Sequence, residues 1–316
     1  MNINNLHQSF QEEFDIVGII KTDRYFSEAK KLNLKLPITK FPTMVVLGLS
    51  YPKRIKTSTK TELYASFYTF GTDYHQVLKN RIIKVMNKFP LAYELGVDNH
   101  PYDERLAALL AGIGFFGKNQ LIINQTFGSY IFLGIVFIDL EISEEFTLPI
   151  IDNCGSCRIC LDACPTKALN NDGYDFNKCI SYYNQEKKVL SSDEIKANYC
   201  LFGCDICQLV CPKNLSIKPK LHPEFELSGK EGVNITDLFT YSEKEFIKKY
   251  QDMAYLWKGK TILMRNALTL LLRSKNFDYN DLVKRTIDKQ STPWYHETAL
   301  KIIEELEQIK KESTLI

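Results

Sequence analysis

The sequence predicts an α+β chain in three parts, and three observations carry that reading. Apolar runs of strand length alternate with helical stretches over residues 1–150, every cysteine falls within residues 151–215, and helical periodicity dominates from residue 235 onward. The expected domains are therefore 1–150, 151–215 and 216–316.

A helix is expected over Asn5–Phe14, followed by a strand in DIVGII. TMVVLGLSY, residues 43–51, is a second strand, rich in Val and Leu and closed by Pro52. YHQVLKNRIIKVMNKF, residues 74–89, spaces Val77, Ile82, Val85, Met86 and Phe89 along one helical face. DERLAALLAG is a short helix that ends on Gly112. LIIN and SYIFLGIVFIDL read as strands joined at QTFG. Beyond the cysteines, FIKKYQDMAYLWKG, ILMRNALTLLLRS and HETALKIIEELEQIKKE each carry helical spacing, the last two as a short stack of paired helices.

Bulk properties narrow the function. The formal net charge is +2, which announces no global nucleic-acid binder, so a basic surface has to be local. MNINNLHQSFQEEFD has neither a cationic nor an apolar leader region, and the longest apolar run, Tyr130–Ile138, is too short to span a bilayer. A cytoplasmic, membrane-free protein is the expectation. Nine cysteines in a reducing compartment are poor disulfide partners and good metal ligands.

Their spacing is specific. CGSCRICLDACP supplies Cys154, Cys157, Cys160 and Cys164, and CDICQLVCP supplies Cys204, Cys207 and Cys211, with Cys179 and Cys200 between. C-x2-C-x2-C lets one loop fill three corners of a [4Fe–4S] cluster, while the cysteine-proline of the other group fills the fourth. Cluster one then takes Cys154, Cys157, Cys160 and Cys211. Cluster two takes Cys204, Cys207 and Cys164, with Cys179 or Cys200 as its last ligand. Zinc shares the C-x2-C element but does not need three cysteines per loop followed by proline.

GIGFFG, residues 112–117, matches the dinucleotide fingerprint in form only. That motif needs a strand before it and a helix after it, and here the order is reversed. NAD binding is not expected. The glycine-dense turn leading to Lys118 and Asn119 still permits close approach of a bulky ligand.

VDNHPYDERLAALLAGIGFFGKNQLIINQTFGSYIFLGIVF, the first cysteine group, CISYYNQ and FGCDICQLVCPKN together resemble the epoxyqueuosine reductases over roughly residues 10–215, and WKGKTILMRNALTLL extends the likeness more weakly. The resemblance implies a nitroreductase-like α/β domain for base-off cobalamin, a ferredoxin-like domain for two [4Fe–4S] clusters, and a short HEAT-like helical region. It implies reduction of epoxyqueuosine to queuosine in the anticodon loop of tRNA, with two electrons and two protons consumed. A low-potential donor such as flavodoxin or ferredoxin, and a monomer, are the implied partners and state. By position, Asp98 matches the family's proton donor and Arg105 an arginine of the same pocket. Tyr74 and His75 match the segment lining the site, and Lys118 and Asn119 the turn beside the corrin. Cys179 matches the cluster-two ligand, leaving Cys200 spare.

A carboxyl in a partly dry pocket should have a raised pKa, whereas Arg105 would oppose that. DNHPYD lacks the glycine of the cobalt-ligating D-x-H-x-x-G loop, so His100 is expected at the surface and no lower histidine ligand is expected. Relative to the family the helical region looks shortened, and Cys200 stands where an arginine is common. Lys244, Lys248, Lys249, Lys258, Lys260 and Arg265 could meet tRNA phosphates or form a solvated helix face. Two alternatives share some of these features: another cobalamin and iron–sulfur reductase of the reductive dehalogenase kind, and a plain two-cluster electron carrier.

Overall fold

The computed structural model describes residues 3–150, 152–287, 289 and 291–314. The chain divides into two units, neither of them a continuous stretch. The first comprises residues 1–53, 73–160 and 207–225; the second comprises 54–72, 161–206 and 226–316. The expected boundaries at 150 and 215 lie inside the first unit, and the cysteine segment is divided between the two.

In the first unit the strands Ile16–Lys21, Thr43–Ser50, Ile131–Ile138 and Tyr93–Gly96 form one antiparallel sheet in that spatial order. Val45 pairs with Val136 and Leu47 with Gly134, and every residue of Thr43–Ser50 is buried. Such uninterrupted burial means helices cover both faces. Helices Thr22–Lys31 and Glu104–Leu110 cover one face, packing Tyr25, Ala29, Leu106 and Ala107 over Ile20, Met44, Val46 and Phe137. On the other, Leu78 and Ile82 of helix Tyr74–Met86 lie over Gly134. The fingerprint-like GIGFFG forms a helix-to-hairpin turn. Gly112 has φ +75, and a Cβ there would fall 1.9 Å from the Leu148 carbonyl oxygen, so only glycine fits. The hairpin that follows pairs Phe115–Phe116 with Ile122–Ile123.

In the second unit Glu62–Tyr64 pairs with Gly232–Asn234, and helices Ile235–Thr240, Glu243–Tyr250, Lys260–Ser274, Asn280–Ile287 and Pro293–Thr314 build the core. The helix expected through FIKKYQDMAYLWKG stops at Tyr250, and Asp252 has φ +71, outside the helical range. Lys260–Ser274 is buried nearly all round, which makes it the central element. Lys260 and Arg265, grouped by sequence with surface cations, are both buried. Lys260 Nζ donates to the Tyr241 carbonyl. The Arg265 guanidinium donates to the carbonyls of Tyr183, Asn184, Glu186 and Lys188.

Next to it, Asn266 Nδ2 donates to the carbonyls of Asn184 (2.7 Å) and Leu201 (2.9 Å). Asn184 in turn exchanges hydrogen bonds with Gly203, Nδ2 to O at 2.9 Å and N to Oδ1 at 3.2 Å. Asn266→Leu would strand the Leu201 carbonyl and the Arg265 N–H groups that Asn266 Oδ1 accepts, all in a dry core, and we expect a loss of about 3 kcal/mol in anaerobic urea unfolding.

Candidate functional site

Two constellations stand out in the first unit. The first surrounds Asp98. Asp73 caps helix Tyr74–Met86, its Oδ1 accepting from the His75 N–H at 3.0 Å and lying 2.6 Å from His75 Nδ1. The other ring nitrogen, Nε2, is 2.7 Å from Asp98 Oδ2, and the Tyr74 hydroxyl donates to that same oxygen at 2.8 Å. Asp98 Oδ1 has no hydrogen-bond partner among the described residues, and the side chain is 47% exposed. The backbone there is left-handed, φ +57, with the Asp98 N–H donating to Glu104 Oε1 at 2.9 Å. Tyr74 stacks face to face on Phe132, ring centroids 4.2 Å apart, so the proton-bearing side chains rest on the sheet.

The charges differ from the sequence expectation. His75's hydrogen bond, aided by Tyr74's, outweighs desolvation and holds Asp98 below the usual carboxylate range. Burial lowers the His75 pKa, but bonds to Asp73 and Asp98 and their charges prevail and raise it to about 9. At neutral pH the proton therefore sits on the imidazole, against an ionised Asp98. Arg105 takes no part in this. It pairs with Asp103 at 3.5 Å and donates to the Gln120 carbonyl at 3.3 Å. His100, expected at the surface, has a side chain only 9% exposed, with Nε2 3.1 Å from Glu104 and Nδ1 accepting from the Tyr102 N–H.

The second constellation is a hollow of about 50 Å³ bordered by Cys154, Cys157, Cys160 and Cys211 together with Lys118, Asn119 and Ile123. The Lys118 N–H points at Cys154 Sγ, 3.4 Å away, and its ammonium donates to the carbonyls of Gly155 (2.8 Å) and Cys157 (2.9 Å). Asn119 is buried, and its Nδ2 finds no hydrogen-bond partner among the described residues. A buried amide donor at the edge of a thiol-lined hollow suits an acceptor within it, which the sulfides and thiolates of a cluster would be. Burial raises the Cys211 pKa, and the negative charge of Cys154 and Cys157 adds to the rise. The thiols are thus close enough to repel one another when ionised, a cost that a bound cationic centre offsets.

Cys211 is placed by a network with no sequence motif. Gln208 Oε1 accepts from Ser129 Oγ (2.9 Å) and the Tyr51 hydroxyl (3.3 Å), while Asn214 bonds the N–H and hydroxyl of Ser129 and the Gln208 carbonyl. Gly128, φ +59, makes room for Asn214, whose Oδ1 a Cβ would meet at 2.1 Å.

Four further cysteines, Cys164, Cys179, Cys200 and Cys204, lie in the second unit. Cys164 has a lowered pKa: burial opposes the charge, but the N–H groups of Leu169, Thr166 and Ala168 and the Thr166 hydroxyl more than offset it. Burial, with the charges of Asp205 and Cys179 added, pushes Cys204 up to about 12, although bonds from Tyr199 and the Ile206 N–H act the other way. Cys200 is buried, its thiol directed at the carbonyls of Phe202 (3.3 Å) and Tyr64 (3.7 Å). Cys207 begins the segment that returns to the first unit. Among the described residues no helix is long and apolar enough to cross a membrane.

Known proteins resemble this chain in sequence and in fold. The family model "Epoxyqueuosine reductase QueG, DUF1730" matches residues 32–98, and "4Fe-4S double cluster binding domain" matches residues 153–214. The epoxyqueuosine reductase of Lactococcus garvieae is 36% identical over 259 residues, covering 77% of this chain and 72% of that protein. That of Bacillus subtilis is 35% identical over 260 residues, covering 78% and 67%. A crystal structure of an epoxyqueuosine reductase with an epoxyqueuosine-modified tRNA-Tyr stem loop aligns with a TM-score of 0.82 at 27% identity, over 96% of this chain and 90% of that one. The Bacillus subtilis enzyme, solved with its catalytic aspartate loop swung out of the active site, aligns equally well, at 27% identity over 96% and 91%. The chain carries a double [4Fe–4S] cluster domain and belongs to the epoxyqueuosine reductase family.

Proposed function

We propose that this protein reduces epoxyqueuosine to queuosine in the anticodon loop of tRNA, working in the cytoplasm with two [4Fe–4S] clusters and base-off cobalamin. The observation that carries the chemistry is the half-exposed Asp98, with one oxygen bound to Tyr74 and His75 and the other without a partner among the described residues. Family membership and the likeness to a tRNA-bound relative support the substrate.

Removing the epoxide oxygen as water takes two electrons and two protons, and the rising negative charge on oxygen needs an acid within reach. Asp98 is ionised at rest, so in our reading it relays a proton from the imidazolium of His75, and Asp73 keeps that ring charged and oriented. Tyr74 holds the carboxylate against the sheet. Bound cobalamin would supply the low-potential reducing centre. Both histidines of this site use both ring nitrogens within the protein, so neither is offered to a cofactor. Arg105, held by Asp103 and the Gln120 carbonyl, stands beside the site and not on Asp98. Lys118 and Asn119 serve cluster one, the first by pinning the Gly155–Cys157 loop and the second by offering a free N–H.

The proposed ligands of cluster one are Cys154, Cys157, Cys160 and Cys211, and those of cluster two Cys164, Cys179, Cys204 and Cys207. Electrons would come from a low-potential carrier of the flavodoxin or ferredoxin kind, and the protein would act as a monomer. Lys244 and Lys248 are exposed and suit phosphate contacts. Lys249 is tied to Asp237 at 2.6 Å, and Lys258 lies over the Trp257 ring.

The decisive test is anaerobic reconstitution with iron, sulfide and cobalamin, then assay of epoxyqueuosine-containing tRNA with a low-potential reductant and mass spectrometry for queuosine. Absence of product from fully loaded protein would refute the reading. Asp98→Asn should keep both clusters and lose turnover by about 100-fold or more; unchanged turnover removes Asp98 from the chemistry. Cys200→Ser should retain both clusters, whereas Cys179→Ser should lose or convert one, as read by iron content and electron paramagnetic resonance. His75 also predicts a pH dependence. Its folded pKa of about 9 exceeds the ordinary 6.5, so its contribution to stability is complete below about pH 6.5 and lost as pH rises through about 9. Thermal unfolding across that range should show the decline, and His75→Gln should flatten it.

A further inference from the structure

Tyr199 lies five residues before Cys204 and belongs to no motif in the sequence. Its hydroxyl oxygen accepts the Asp205 N–H at 2.7 Å and stands 3.4 Å from Cys204 Sγ. A backbone N–H can only donate, so that contact uses an oxygen lone pair. The single phenolic proton is left for the sulfur. The hydroxyl is also hard to displace. Asp205 is buried, and its carboxylate accepts from the Ser66 hydroxyl and, at 3.3 Å, from the Phe67 N–H. Gly203, φ +79, turns the chain between them, and a Cβ there would come within 2.8 Å of Ser66 and Tyr68. Moving the phenol would leave the Asp205 N–H unpaired in a dry place.

We propose that Tyr199 sets the reduction potential of cluster two by donating a hydrogen bond to the thiolate of Cys204. This rests on Cys204 being a ligand of that cluster. One electron added to the cluster makes its sulfurs more negative. An O–H donor on one of them stabilises the reduced form and so raises the potential. Cluster one receives a backbone N–H on Cys154, which only proline at position 118 would delete, whereas the donor on Cys204 belongs to a side chain and is open to change.

The test uses the full chain, reconstituted anaerobically and titrated with dithionite under electron paramagnetic resonance, with Cys154→Ser and Cys204→Ser assigning the two signals. Tyr199→Phe should keep iron and sulfide content, shift the cluster-two midpoint to lower potential and leave cluster one where it was. Electron–nuclear double resonance on the unaltered protein should show a deuterium-exchangeable proton coupled to cluster two, and Tyr199→Phe should abolish it. Unshifted midpoints with both clusters intact would overturn the proposal. So would absence of the exchangeable proton from the unaltered protein, a readout that stands even if Tyr199→Phe fails to assemble its clusters. Cys204→Ser with both signals unaltered would instead remove the ligand assignment beneath it.

Discussion

Polypeptide that wraps a metal cluster has little room for helices or sheets, so its main-chain carbonyls and amides must find partners elsewhere. In this protein buried side chains supply them. Arg265, fully enclosed, spends its donors on four carbonyls of the turn that follows Cys179 and on the Asn266 side chain. Asn266 and Asn184 fasten the turn leading into Cys204. In the first unit Gln208 and Asn214 do the same for the segment bearing Cys211. An unpaired buried charge would be costly, and desolvation does lower the Arg265 pKa to about 10, yet at neutral pH the guanidinium keeps its charge. Its carbonyl partners replace the water it has lost.

The proton-handling side is built on an opposite plan. There the charged groups neighbour one another directly, with two carboxylates on either side of one imidazole. The pairing keeps a proton ready at neutral pH without a raised carboxyl pKa. In the proposed reaction a carboxylate backed by a charged imidazole takes the place of a neutral carboxylic acid, with the second Asp98 oxygen as the point of delivery.

Much of this was legible in the residues. Unbroken apolar runs such as TMVVLGLS and IFLGIVFI can only be buried strands, and the cysteine spacing names its own chemistry. Other features leave a fainter trace. Helix Thr22–Lys31 is half charged and buries only Thr22, Tyr25 and Ala29, and strand Tyr93–Gly96 is short and half exposed. Glu62–Tyr64 pairs with residues far along the chain, which no local pattern encodes. Arg265 and Lys260 read as surface cations because burial of a basic residue depends on which carbonyls the fold brings to it. His100 looked exposed for the converse reason: its partner Glu104 is near in sequence, but the enclosing turn comes from the left-handed Asp98. Asp98 itself was found by resemblance, while its charge state required the geometry of His75.

The interleaving of the two units bears on how the protein is made. Three of the thiols around the first hollow leave the ribosome early, and the fourth, Cys211, emerges only after the whole of residues 161–206. Iron delivered before then would meet an incomplete cage with a corner open to solvent and oxygen. Loading is therefore best deferred until the late segment has docked on Ser129 and Tyr51, which ties it to completion of the first unit.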